Sequence, residues 1–231
     1  HLIHQAGKSM DESGQREVVH RLLQGASDSN GGLAGQSLMW LSYYGRGAYD
    51  ADARRTLQGL LVRKQQPHYR RLLLLAGYVG AGNEEMQRKL LLPERETAEN
   101  LWTLHLAQSR MGNVSSVSHC LERAKRVPVC DAMVNGLVPD LIYTRQRELL
   151  DYCVSILGLE EPLCTSLNPD RPERILCGYR VLEQLAPVIE AFPIQVDATG
   201  SLVTSDYVEA LKQARAWFQT HPDYGIINEG Y

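Results

Sequence analysis

A pattern of paired helices recurs between Ser37 and Arg126, and it limits the possible folds more than any other feature of the sequence. Each copy contains an apolar helical stretch, a short turn with Gly and Asn or Asp, and a second stretch that is apolar on one side only. The copies span Ser37–Arg63, His68–Leu92 and Asn100–Arg126. A period of roughly 20–50 residues with one helix pair per copy is typical of stacked helical arrays.

The burial requirement of the first helices explains why such copies would stack. The stretch Leu72–Val79 is apolar on almost every side, so it needs cover from its own partner helix and from neighbouring copies. Glycine in the turns permits the left-handed conformation that ends a helix. The turn glycines are Gly45, Gly82 and Gly112, and the predicted N-caps of the second helices are Asp50, Asn83 and Asn113.

The three copies resemble HEAT-like repeats, a group of armadillo-type α-solenoids, most closely in the segment LLLLAGYVGAGNEEMQRKLLL. This resemblance implies an all-α superhelix of stacked antiparallel helix pairs. It also implies a scaffold or binding surface, because the second helices of such proteins commonly line the concave side.

The remaining sequence is less regular. We expect residues 1–12 to form a flexible lead-in and residues 13–231 to form a single HEAT-like domain, with regular repeats over 37–126 and an irregular part over 127–231. Two β-prone pieces flank Asp197–Gly200, which predicts a small β-hairpin near 194–203. In the irregular part we predict the helices Asp140–Leu157, Glu161–Leu167, Glu173–Leu185 and Asp206–Thr220.

The cysteines and the hydropathy of the sequence give only weak information about the cellular compartment of the protein. The cysteines number five, form no CxxC motif and lie within or beside apolar runs, so we expect buried thiols rather than disulfides or a zinc site. No apolar run approaches the roughly 18 residues that a membrane span needs. We expect a cytoplasmic protein, with a secreted or periplasmic mature chain as the alternative because the sequence starts at His1.

Charge is distributed unevenly along the chain. Residues 1–126 contain 17 Lys and Arg against 12 Asp and Glu, whereas residues 127–231 contain 7 against 15. Cations on the second helices of the copies predict a basic ridge that could receive an acidic segment or phosphates. The competing explanation is that cations near helix C-termini merely offset the helix dipole. The ridge residues are Arg54, Arg55, Arg63, Arg88, Lys89, Arg123, Lys125 and Arg126.

Sequence signatures of catalysis are missing. The chain has no GxSxG, GxGxxG or Walker A motif, and adjacent His119 and Cys120 would point about 100° apart on a helix. We therefore predict no catalytic residues, no metal site and no cofactor. The predicted function is a non-enzymatic interaction module that binds a protein or peptide on its second-helix surface. The alternatives are a nucleic-acid-binding repeat protein that uses the ridge, and an enzyme with a site around Asp197–Ser205.

Overall fold

The computed structural model describes residues 11–28, 30–62, 68–166, 173–197, 200–204 and 206–230. Within these residues the fold is all-α with a small antiparallel β element, which confirms the predicted class. The α-helices are α1 Glu12–Ala26, α2 Gly31–Leu41, α3 Ala51–Leu61, α4 Tyr69–Val79, α5 Asn83–Leu90, α6 Ala98–Arg110, α7 Val114–Arg126, α8 Val138–Thr144, α9 Arg147–Leu157, α10 Cys177–Leu185 and α11 Tyr207–Thr220.

Shorter helical turns lie between these elements. Three are 3₁₀ turns, at Arg46–Ala48, Pro93–Arg95 and Ala186–Val188, and the stretch Met133–Leu137 is π-helical. No helix in the described residues is both long and apolar enough to cross a bilayer.

The chain folds into two compact units. The first unit comprises residues 1–116 with 229–231, and the second comprises residues 117–228. The prediction of one domain over 13–231 stays a prediction, as does the flexible lead-in, most of which falls outside the described residues. Asp11 nevertheless caps α1, and its carboxylate accepts a hydrogen bond from the backbone N–H of Gly14 at 2.8 Å.

Helix α4 lies at the centre of the first unit. It packs against α2, α3 and α6, and its side chains Leu72, Leu73 and Leu75 are fully buried. This is the apolar helix that the sequence predicted to need cover on several sides. Burying a leucine side chain contributes on the order of 2 kcal/mol, so the leucine run is a main source of this unit's stability.

Two of the three predicted N-caps are confirmed. Asp50 accepts from the N–H of Ala53 at 2.9 Å, and Asn113 accepts from the N–H of Ser116 at 3.0 Å. The prediction for Asn83 is wrong because α5 begins at that residue, after Gly82. The side chain of Asn83 instead accepts a hydrogen bond from Gln108 Nε2 at 2.9 Å.

In the second unit, the predicted long helix Asp140–Leu157 is divided in two. Arg145 adopts a left-handed backbone with φ of 55°, which ends α8 before α9 begins. The guanidinium of Arg145 donates to the carbonyl of Ile227 at 3.0 Å. Periodicity did not reveal this break, because Leu149 and Leu150 follow Leu141 and Ile142 by eight residues, a spacing that keeps them on one helical face.

The cysteine prediction is wrong for one pair. Cys164 and Cys177 form a disulfide, whereas Cys120 and Cys153 are buried free thiols and Cys130 is a half-buried one. Beside the bridge, strand β1 (Cys164–Thr165) pairs antiparallel with strand β2 (Arg174–Ile175). These strands replace the predicted helix Glu161–Leu167 and the start of the predicted helix at Glu173, because pairing and the disulfide hold this segment extended.

The predicted hairpin near 194–203 is present as a single antiparallel bridge. Val196 pairs with Leu202, and the N–H of Val203 donates to the carbonyl of Gln195 at 2.9 Å. Residues 198 and 199, at the turn, are outside the described residues.

Candidate binding site

The predicted ridge residues lie on three different helices. Arg54 and Arg55 are on α3, and Arg88 and Lys89 are on α5. Arg123, Lys125 and Arg126 are on α7, while Arg63 is outside the described residues. All seven described side chains are exposed except that of Lys89, which is half-buried. Because α7 contains the division between the two units, the seven cations do not belong to one compact body.

Acidic neighbours neutralise several of these cations. Arg55 pairs with Asp52 at 2.6 Å, and Arg88 donates to both carboxylate oxygens of Glu85 at 2.9 and 2.7 Å. Lys89 Nζ lies 2.9 Å from Glu96 Oε1 and also stacks on the ring of Tyr69 at 5.2 Å. The burial of Lys89 lowers the pKa of its ammonium, but the hydrogen bonds to its neighbours outweigh that effect and the pKa is raised.

A different set of arginines surrounds one concavity of the first unit. The opening has a volume of about 440 Å³ and is lined by Arg46, Arg54 and Arg110 around Tyr78. We call this feature the arginine concavity. Three guanidinium groups thus line one hollow, whereas the lining of the hollow at Ile194 and Glu209 contains no arginine or lysine.

Local sequence explains how Tyr78 reaches this position. It lies in the last turn of α4, which Gly80 ends in the left-handed conformation at φ 74°. The N–H of Ala81 then donates to the carbonyl of Ala76 at 2.8 Å, which closes the helix. Gly82 follows at φ 71°, and an added Cβ there would lie 2.3 Å from Leu61 Cδ1. Only glycine fits both requirements at this position.

The Tyr78 ring organises two of the arginines. Its centroid lies 5.1 Å from the guanidinium carbon of Arg46 and 5.5 Å from that of Arg110. The negative faces of an aromatic ring attract cations, with about 0.5–2 kcal/mol for each stacked group. Burial is the main cause that raises the pKa of the Tyr78 hydroxyl, so the ring stays neutral at physiological pH.

The three arginines differ in how far their hydrogen bonds are satisfied within the protein. Arg54 Nε donates to the carbonyl of Tyr49 at 3.1 Å, and Arg110 Nη2 donates to the carbonyl of Gly230 at 3.2 Å. Arg46 is half-buried, and its Nε atom has no hydrogen-bond partner among the described residues. No carboxylate of the described residues lies within 4.0 Å of the Arg46 guanidinium. Because that Nε atom is itself buried, an incoming acceptor would bind the terminal nitrogens of the Arg46 guanidinium.

Sequence reasoning identified only Arg54 of this group. Arg46 and Arg110 were not among the predicted ridge residues. One available signal was the position of each residue beside a turn glycine, in YYGRG and SRMGN. These turns end helices at neighbouring points of the unit, so side chains from separate copies can converge there.

The region proposed for the enzyme alternative holds a second hollow. It has a volume of about 350 Å³, and its lining includes Ile194, Val203, Asp206 and Glu209. The carboxylate of Asp206 caps α11 by accepting from the N–H of Glu209 at 3.0 Å. Neither His nor Cys is among the lining residues, so this hollow offers two carboxylates of which one already has a structural role.

Two observations concern the thiol of Cys153 and the residues that could hold a metal ion. Burial raises the pKa of the Cys153 thiol to about 12, which keeps it protonated and unreactive at neutral pH. No group of three His, Cys, Asp or Glu side chains in this part of the chain is arranged to hold a metal ion.

Comparison with known proteins adds no relative. The chain matches no protein-family model, no curated protein and no solved structure. The interpretation of the arginine concavity therefore depends on its geometry and chemistry.

Proposed function

We propose that the first unit binds an acidic peptide segment of a partner protein, whose carboxylate side chains enter the arginine concavity. The observation that carries this proposal is the Arg46 guanidinium, which stacks on Tyr78 and forms no ion pair within 4.0 Å among the described residues. Arginine binds carboxylates through two parallel hydrogen bonds, and the stacking on Tyr78 limits the freedom that binding would remove.

This proposal sharpens the function predicted from the sequence. Protein or peptide binding is retained, and the contact surface moves from the whole ridge to the arginine concavity, which shares only Arg54 with it. The nucleic-acid alternative has less support because Arg55, Arg88 and Lys89 already pair with carboxylates. Retention of the chain on a heparin column with a steep salt dependence would favour that alternative.

The HEAT-like architecture also remains a proposal. Its support in the first unit is the succession of α2 and α3, then α4 and α5, each joined through a turn that contains glycine. Such an architecture would present the concavity at the turns between helices rather than along the second helices.

The disulfide bears on the compartment in which binding takes place. Disulfides form and persist in oxidising environments, so Cys164–Cys177 supports the secreted or periplasmic alternative over the cytoplasmic one.

The test is fluorescence anisotropy with a labelled (Glu-Gly)₄ peptide and the matched (Gln-Gly)₄ peptide. We expect the acidic peptide alone to bind, and more weakly as salt rises, because exposed charges are screened. Arg46→Gln and Arg54→Gln should each weaken binding about 10-fold, since a charge-assisted hydrogen bond contributes about 1.5–3 kcal/mol.

The matched control is Arg55→Gln, which removes the same charge from α3 outside the concavity lining. We expect this variant to bind the acidic peptide within about 2-fold of the wild type. Equal binding of the two peptides, or equal losses in all three variants, would contradict the proposed site.

A further inference from the structure

The arginine concavity is already contacted by an acidic residue of the same chain. Tyr78 Oη donates to Glu229 Oε2 at 3.4 Å, and Arg110 Nη2 donates to the carbonyl of the next residue, Gly230, at 3.2 Å. Glu229 also lies beside Gly45, where an added Cβ would be 3.6 Å from its carboxylate. All of these residues belong to the first unit.

The chemistry of this segment matches that of the proposed ligand. The Glu229 carboxylate accepts from the Tyr78 hydroxyl, and the Gly230 carbonyl accepts from Arg110. Both donors line the concavity. The carboxylate also raises the pKa of Tyr78, which shows that its charge acts on the site. Glu229–Gly230 therefore presents to the concavity the groups that an acidic peptide would present.

The hydrogen bond from Tyr78 to Glu229 is weak enough to be exchanged, and the segment is otherwise held by the contacts of Gly230 with Tyr78 and Arg110. An O–H···O hydrogen bond is usually about 2.5–3.0 Å long, so the 3.4 Å contact from Tyr78 to Glu229 is a poor one. Glu229 and Gly230 are both exposed, and Arg46 and Arg54 form no ion pair with Glu229 within 4.0 Å among the described residues. An external peptide could use these two arginines as well and so bind in its place.

We propose that Glu229–Gly230 is an internal competitor that must leave the arginine concavity before an acidic peptide of a partner protein can bind there. The inference depends on the proposed function, because it assigns the regulation of that same site. The apparent affinity of a site falls in proportion to the fraction of molecules in which it is free. Weakening the internal contact should therefore strengthen binding of an external acidic peptide.

The experiment measures binding of (Glu-Gly)₄ to the full chain and to variants by anisotropy. Glu229→Gln should bind about 5-fold more tightly than the wild type, since the internal carboxylate no longer competes. Gly230→Ala keeps the charge but disfavours the backbone at φ 89°, so it should increase affinity about 2-fold. The control Glu94→Gln removes an exposed charge of the first unit outside the concavity lining, and it should leave affinity unchanged.

Hydrogen exchange of residues 226–230 provides a readout that does not require the external peptide. Without peptide, exchange should be faster in Glu229→Gln than in Glu94→Gln. In the wild type, exchange should be faster with the peptide than without it. Equal affinity of wild type and Glu229→Gln would overturn the inference and leave the proposed function intact. No binding to any variant would overturn both, and unchanged exchange in Glu229→Gln would overturn the internal contact itself.

Discussion

Arg180 in the second unit and Arg46 in the first unit differ in how many hydrogen-bond acceptors surround their guanidinium groups. In the second unit Arg180 is 10% exposed and donates to Asp131 Oδ1 at 2.6 Å and to Asn135 Oδ1. In the first unit Arg46 stacks on Tyr78 and has an Nε atom without a hydrogen-bond partner among the described residues.

This difference suggests that Arg180 has a structural role, whereas the charge of Arg46 is available for binding. Asp131 also accepts from the N–H and the hydroxyl of Thr165, at 3.0 and 2.9 Å, so it ties the Arg180 helix to strand β1. Removing one partner of such a buried pair destabilises the fold because the other charge is left uncompensated, and groups that are paired in this way have little left to offer a ligand. The Arg46 guanidinium contributes its stacking on Tyr78 to the fold and forms no ion pair among the described residues, so donors remain for a ligand.

The largest expected effect on the free energy of unfolding is that of removing the Cys164–Cys177 disulfide of the second unit. Replacing both Cys164 and Cys177 by alanine should lower the free energy of unfolding by about 3 kcal/mol, because the bridge closes a loop with a sequence separation of 13 residues. Urea denaturation measures this loss. Reductant should produce the same loss in the wild type and none in the double variant, and a reductant-insensitive wild type would argue that the bridge is absent.

Next in size is the effect of breaking the Arg180 contacts. Arg180→Gln should lower the free energy of unfolding by about 2 kcal/mol, since a hydrogen bond to a charged group contributes about 1.5–3 kcal/mol and Asp131 would lose its cation. The same urea titration measures it. A loss below about 0.5 kcal/mol would remove the distinction between the two arginines.

Acid should weaken the second unit through Asp131. The hydrogen bond from the Thr165 N–H, together with its hydroxyl and Arg180, holds the pKa of Asp131 below its ordinary value of 3.8. A lowered pKa in the folded state adds stability above pH 3.8, and this stability is lost as the pH falls through the folded pKa. The stability difference between wild type and Asp131→Asn should therefore shrink from pH 6 to pH 3, as measured by urea denaturation. A difference that stays constant over this range would exclude the linkage.

The smallest expected effect on stability is that of Arg46→Gln. Because this side chain forms no ion pair among the described residues and loses only its stacking on Tyr78, its removal should lower the free energy of unfolding by about 0.5–1 kcal/mol. Urea denaturation of Arg46→Gln beside Arg180→Gln makes the comparison directly. Equal losses in the two variants would mean that Arg46 has a structural role as well.

Helix positions followed from the sequence where local signals sufficed. The cap at Asp50 and the buried leucines of α4 depend on neighbouring residues and on a period of 3.6, both of which are visible in the chain. The break at Arg145 and the disulfide partner of Cys164 were missed, because each depends on contacts with residues that are distant in sequence.

The sequence by itself determined that the chain forms apolar helices which must cover one another, since helix periodicity and burial are properties of short segments. Only the tertiary structure decided that Arg46, Arg54 and Arg110 meet around Tyr78. These residues lie on separate elements, and their convergence depends on how the helix ends pack. The sequence shows each arginine separately, but the positive charge of the concavity depends on how close the three arginines lie in space.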